Sequence, residues 1–131
     1  MHFLPTEPFV IISANTEIQD WRDAVTKSTE LRSELRAMGF KFKAVSGCFK
    51  GKIEVSYYIP WLDESDALLI AKKFNQESVL VVDERRLAHL AFTDGSESKA
   101  LGRFIEGESD DNYTIDGGVK YICTGVDNGC N

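Results

Sequence analysis

The sequence predicts an α+β fold: a ferredoxin-like sandwich with a mostly antiparallel sheet, two helices on one face, and extra C-terminal strands. Two segments step their apolar residues by three and four, as helices do. The segments around them alternate or run continuously apolar, as strands do. The resulting order is β-α-β-β-α-β followed by further strands, which suits helices gathered on one side of a sheet. Such a sheet leaves its other face without helices, and oligomerisation is a common way to bury it. Tyr57, Tyr58 and other strand aromatics are candidates for that interface.

"PFVIIS" (8–13) is a short apolar run between Pro8 and Asn15, and reads as a buried strand. A helix follows. Thr16 with Gln19 has the capping-box form, and Asn15 is a second candidate for its start. Glu17, Asp20 and Asp23 crowd its first turns and Arg32 and Arg36 its last, matching the helix dipole. Ile18, Trp21, Val25, Ser28, Leu31, Leu35 and Met38 make one stripe, and Gly39 stops it.

"KFKAVSG" and "KIEVSYYI" read as two strands joined by a turn at Lys50–Gly51–Lys52. In the second, Ile53, Val55, Tyr57 and Ile59 alternate with Glu54, Ser56 and Tyr58, so the latter set is assigned to a wet face. Pro60 ends this strand. Asp63 or Ser65 caps a second helix with the stripe Ala67, Ile70, Ala71 and Phe74, flanked by Leu68. "SVLVVD" (78–83) reads as a central strand and "RLAHLAFTDG" (86–95) as another. Residues 96–112 read as a mobile polar loop around "RFIEG". "YTIDGGVKYIC" (113–123) reads as a hairpin turning at Asp116–Gly117–Gly118. The expectation is a single domain over 1–131 with flexible ends at 1–7 and 124–131.

With 131 residues, 43% of them hydrophobic, 27% charged and 11% aromatic, the chain can build one real core. No run is long enough to span a bilayer, and the start of the chain lacks the pattern of a secretory signal, which predicts a cytoplasmic protein. The net charge of −6 argues against free nucleic acid as a ligand. It suits a small cationic one, though acidity also serves solubility. Cys48, Cys123 and Cys130 are odd in number without a CxxC pair, so they read as reduced thiols.

The ordinary catalytic templates fail. His2 is terminal, and His89 sits inside "LAHLAF" with no local partner for a triad or a Cys-His pair. Cys48 beside Gly47 reads as a small core residue. Gly117–Gly118 is too short to cradle phosphate, and no carboxylate cluster has metal-loop spacing. No metal and no cofactor is predicted. A reaction needing neither a protein nucleophile nor a histidine fits this inventory better than hydrolysis by activated water.

"FVIISANTE", "LRSELRAMG", "GCFKGKIEVS", "ALLIAKKFNQESVLVV", "AHLAFTDG" and "YTID" follow in an order and spacing that resemble phage-encoded S-adenosylmethionine hydrolases, better described as S-adenosylmethionine lyases. The distinctive parts are Gly47–Cys48 with a glutamate on the following strand, the Gln76–Glu77 pair before an apolar strand, and "YTID". The resemblance implies a homotrimer with the sandwich fold of small trimeric signalling proteins and substrate sites between subunits. It implies breakdown of S-adenosylmethionine in the infected host's cytoplasm, which starves methyl-dependent restriction.

By position, the resemblance makes Glu54 the catalytic residue, orienting the substrate's ammonium or sulfonium. Phe49, Ser56, Tyr58, Gln76 and Glu77 are carried over as substrate-binding residues. Phe49 replaces the family's usual tyrosine, and the segment from Phe49 to Glu54 is shorter than in relatives. Tyr57 or Tyr58 is the candidate to supply the missing hydroxyl. Two readings stay open at Gln76–Glu77, a binding role or merely a helix end and strand start. The same holds for Ser13 and Asn15, while Phe49 can stack on adenine or fill the core. Two further functions stay open: a non-catalytic trimeric nucleotide-binding or regulatory module, and a phage protein that neutralises a host protein by contact. Products decide between lyase and hydrolase; the sequence does not.

Overall fold

The computed structural model describes residues 7–13, 21–49, 52–109 and 112–125, with side chains for all of these but 21, 23–25, 49 and 52–54. The capping box at Thr16–Gln19, Asn15, the Lys50–Gly51 turn and most of both chain ends lie outside the described residues.

The elements are β1 (Phe9–Ser13), α1 (Trp21–Ala37), β2 (Lys43–Phe49), β3 (Lys52–Pro60), α2 (Glu64–Lys73) and β4 (Ser78–Val82). They continue with β5 (Leu87–Phe92), β6 (Lys99–Glu106), β7 (Tyr113–Asp116) and β8 (Val119–Cys123). The β-α-β-β-α-β order and the C-terminal hairpin are as the sequence predicts. Gly117 (φ 58) and Gly118 (φ 86) form the hairpin turn, where both central residues need positive φ.

The architecture is not the predicted ferredoxin-like sandwich. The strands close into a barrel in the order β1-β3-β2-β7-β8-β6-β5-β4, every neighbouring pair antiparallel. Two features lie behind the difference. The predicted loop at 96–112 contains β6, which pairs with β5 and β8. Then β7 pairs with β2, Ser46–Cys48 against Tyr113–Ile115, and closes the ring. No strand is therefore central, β4 included.

Closure gives the molecule two cores. Outside the wall, Leu31 and Leu35 of α1, Ala67, Ile70 and Ala71 of α2 and its C-cap Phe74 pack on Val10, Ile12, Tyr57, Ile59 and Val79. Among the described stripe residues Leu31, Leu35, Ala67, Ile70, Ala71 and Phe74 are buried as the periodicity requires, while Met38 is exposed. Inside the wall, Phe9, Ile11, Tyr58, Val82, Phe104 and Cys123 fill the lumen. An eight-stranded barrel is just wide enough to be filled by side chains.

The lumen also corrects the reading of β3. Ser56 and Tyr58, assigned to a wet face, are 3% and 4% exposed because that face lines the barrel. Tyr57 and Tyr58 are buried on opposite faces, so neither offers an interface to a second chain. Alternation identifies two faces but does not say that the more polar one meets water.

Gly102 (φ 79) sits at the irregularity between β5 and β6. A Cβ there would lie 2.5 Å from the Gly125 nitrogen, so only glycine lets the chain leaving β8 cross this close. The crossing is fixed by Thr124 N donating to Arg103 O (2.8 Å) and Thr124 Oγ1 accepting from Arg103 N (2.8 Å).

Burial in the lumen pushes the Cys123 thiol up to about 12, from an ordinary value of 9.0. Above about pH 9 the unfolded chain loses this proton while the folded chain keeps it, so stability falls as pH rises toward about 12. Replacing Cys123 with Val should flatten part of that decline. Urea midpoints measured at about pH 8 and about pH 10.5 check this, and an equally steep decline in the variant would refute it.

Candidate functional site at one rim of the barrel

All strands being antiparallel, β1, β2, β5 and β8 end at one rim, where β3, β4, β6 and β7 begin. Registers bring the sequence-predicted residues to this rim. Glu54 stands opposite Gly47, and Gly47 opposite Thr114, making one lateral row across β3, β2 and β7. Two residues along, on the same face, a row joins Val45, Ser56 and Ser13 across β2, β3 and β1. Phe49 ends β2 opposite Lys52. Ser56 and Thr114 are buried, and Ser13 Oγ donates to the Val55 carbonyl (3.4 Å). Toward this rim, aromatic filling gives way to small hydroxyl residues and a glycine.

Gln76 and Glu77 reach the same rim from the other side of β1. The strand they lead into, β4, pairs with β1, and β1 pairs with β3. Two strand spacings, roughly 10 Å, separate the two groups laterally. The connection is rigidly made. Asn75 (φ 58) takes the left-handed position after α2, and its N–H donates to Lys72 O (3.2 Å). Gln76 N–H donates to Ala71 O (2.9 Å), which completes a Schellman stop with asparagine in the usual glycine place. Sequence reasoning placed Gln76–Glu77 at a helix end without seeing this stop; the signal was the Asn75 that precedes them.

Tyr58 belongs elsewhere. Its hydroxyl donates to Glu7 Oε2, toward the opposite rim. Burial raises its pKa well above the usual phenol range, and the Glu7 carboxylate adds to the effect. Lys43 Nζ lies 5.0 Å from the Tyr58 ring centroid and 2.6 Å from Asp116 Oδ2, while Arg86 Nη1 donates to Glu7 O (3.2 Å). This polar network was not foreseen; its members are far apart in sequence. Tyr57 points outward, its hydroxyl hydrogen-bonded to Ser28 of α1. Both tyrosine hydroxyls therefore already have protein partners. His89 pairs with Glu64 at the start of α2 (2.6 Å), on the outer wall away from this rim.

Among the described residues no group of three or more His, Cys, Asp or Glu is arranged to hold a metal, and no helix is long and apolar enough to cross a membrane. Fold and rim define a small closed β-barrel with hydroxyl residues and the segments of Glu54 and Gln76–Glu77 at one end; Glu77 is exposed, and the Gln76 side-chain amide donates back to Phe74 O (3.5 Å). The model of the S-adenosylmethionine lyase family matches residues 10–124, and the chain belongs to that family. Among curated proteins none matches the chain. S-adenosylmethionine is accordingly its small-molecule substrate, and degradation of that molecule its class of activity.

Proposed function

We propose that the protein degrades S-adenosylmethionine by intramolecular cyclisation. The substrate's carboxylate attacks its own γ-carbon and forms the C–O bond of L-homoserine lactone. The C–S bond breaks, and its electron pair neutralises the sulfonium as 5′-methylthioadenosine leaves. No proton is transferred, so no histidine, activated water or cofactor is required. The protein's task is to fold the substrate into a near-attack shape; well-oriented intramolecular reactions reach effective molarities on the order of 10⁵–10⁸ M. The observation that carries this reading is the convergence of family-matched segments at one rim: Glu54 in a row with Gly47 and Thr114, and Gln76–Glu77 across β1.

In this reading Glu54 orients the ammonium or sulfonium, and Ser56, Gln76 and Glu77 bind substrate around it. Phe49 offers a ring to the adenine. Tyr58, carried over as a binding residue, has its hydroxyl on Glu7 toward the opposite rim and takes no part in this reading. The assembly is a homotrimer with sites between subunits, working in the cytoplasm of a phage-infected host to deplete the methyl donor of restriction systems.

Incubation with S-adenosylmethionine in ¹⁸O-labelled water tests the chemistry. Methylthioadenosine with early, unlabelled homoserine lactone is the expected result. Homoserine that carries label from the first turnover, with no lactone preceding it, would mean hydrolysis instead. Bound but intact substrate would point to a non-catalytic module.

A further inference from the structure

We infer that Thr93 is a positioning residue for substrate, acting through the Gln76–Glu77 step; the inference rests on the functional reading above. The ladder between β4 and β5 has Ser78 opposite Phe92. It continues one residue further, with Thr93 N–H donating to Glu77 O (2.9 Å). Beyond that bond, the Thr93 hydroxyl donates to Gln76 O (2.8 Å) and lies 3.2 Å from Glu77 O. The Gln76 residue is thus held at both ends of its backbone: its N–H by the Schellman stop of α2, its carbonyl by Thr93.

A plain β4–β5 ladder would not need this. The backbone bond from Thr93 already fixes strand pairing, and any residue at 93 but proline would make it. The hydroxyl adds a restraint on the connection that carries the Gln76–Glu77 step into β4. A β-branched side chain limited in χ1 holds that donor in place at low entropic cost. A binding group displaced by even an ångström loses much of its effect, which gives a fixed backbone its value here.

Thr93→Val removes the donor and keeps shape and backbone bond, while Thr93→Ser keeps the donor. For Thr93→Val we expect kcat/KM for S-adenosylmethionine to fall about tenfold, mainly through KM, at a nearly unchanged melting temperature. Thr93→Ser should stay within about twofold of wild type. The decisive readout is a double-mutant cycle: in the background Gln76→Ala/Glu77→Ala, the valine substitution should cost nothing further. An equal cost in both backgrounds, or a valine variant with unchanged KM, would overturn the positioning role while leaving the functional reading intact. If the wild type binds the substrate without turning it over, the same cycle run on Kd by calorimetry decides. A wild type that neither binds nor degrades it removes both.

Discussion

Glu54→Gln should keep the barrel and lose turnover by roughly 10- to 100-fold. The substitution preserves size and one acceptor oxygen but removes the negative charge and replaces the other oxygen with a donor. A hydrogen bond or contact to a charged group is worth about 1.5–3 kcal/mol, and each ~1.4 kcal/mol is tenfold in rate. The backbone pairing of β3 with β2 and β1, Gly47 opposite Glu54 and Ser56 opposite Ser13, is left in place by the substitution. Circular dichroism and elution volume should match wild type while product formation collapses. Normal turnover in this variant would remove Glu54 from the chemistry and leave the rim's assignment without its centre.

The second large effect concerns closure. The seam between β2 and β7 is held by three residue pairs, Ser46–Ile115, Gly47–Thr114 and Cys48–Tyr113. Lys43 and Asp116 extend it inside the lumen, at 2.6 Å, with Asp116 6% exposed and Lys43 24%. Asp116→Ala should destabilise the fold by about 2–3 kcal/mol. That is somewhat below the usual cost of breaking a buried pair, since Lys43 retains some access to water. Replacing both partners, Lys43→Met with Asp116→Leu, should recover much of the loss, because the penalty lies in a buried charge stripped of its counter-charge. Urea unfolding measures both. Faster hydrogen exchange in β7 of the single variant would locate the damage at the seam. A loss below about 0.5 kcal/mol would show that the pair does not secure closure.

The family segments were legible because they are local. Gly47–Cys48 with Glu54, the Gln76–Glu77 step and "YTID" can each be read in a window of a few residues. So can the helix stripes that bury Leu31, Leu35, Ile70 and Phe74. What failed was reading polarity as exposure. Ser56 sits between apolar neighbours and looks solvent-facing, yet it is buried because a second wall of strands stands across the lumen. Residues 99–106 are interrupted by Gly102 and charged at both ends, so their alternation is faint, and they read as loop rather than β6.

Local sequence alone was enough for the β-α-β-β-α-β order, the helix residues that bury, the C-terminal hairpin and the family resemblance, but not for β6. Periodicity, turn chemistry and motif spacing are properties of neighbouring residues. Closure of the sheet, the interior placing of the polar side of β3, the bonds of Tyr57 and Tyr58 to Ser28 and Glu7, and the shared rim of Gln76–Glu77 and Glu54 came from long-range contacts. Each depends on a pairing between residues distant along the chain, above all β2 with β7. Such pairings are won by the burial of whole faces rather than by any local preference.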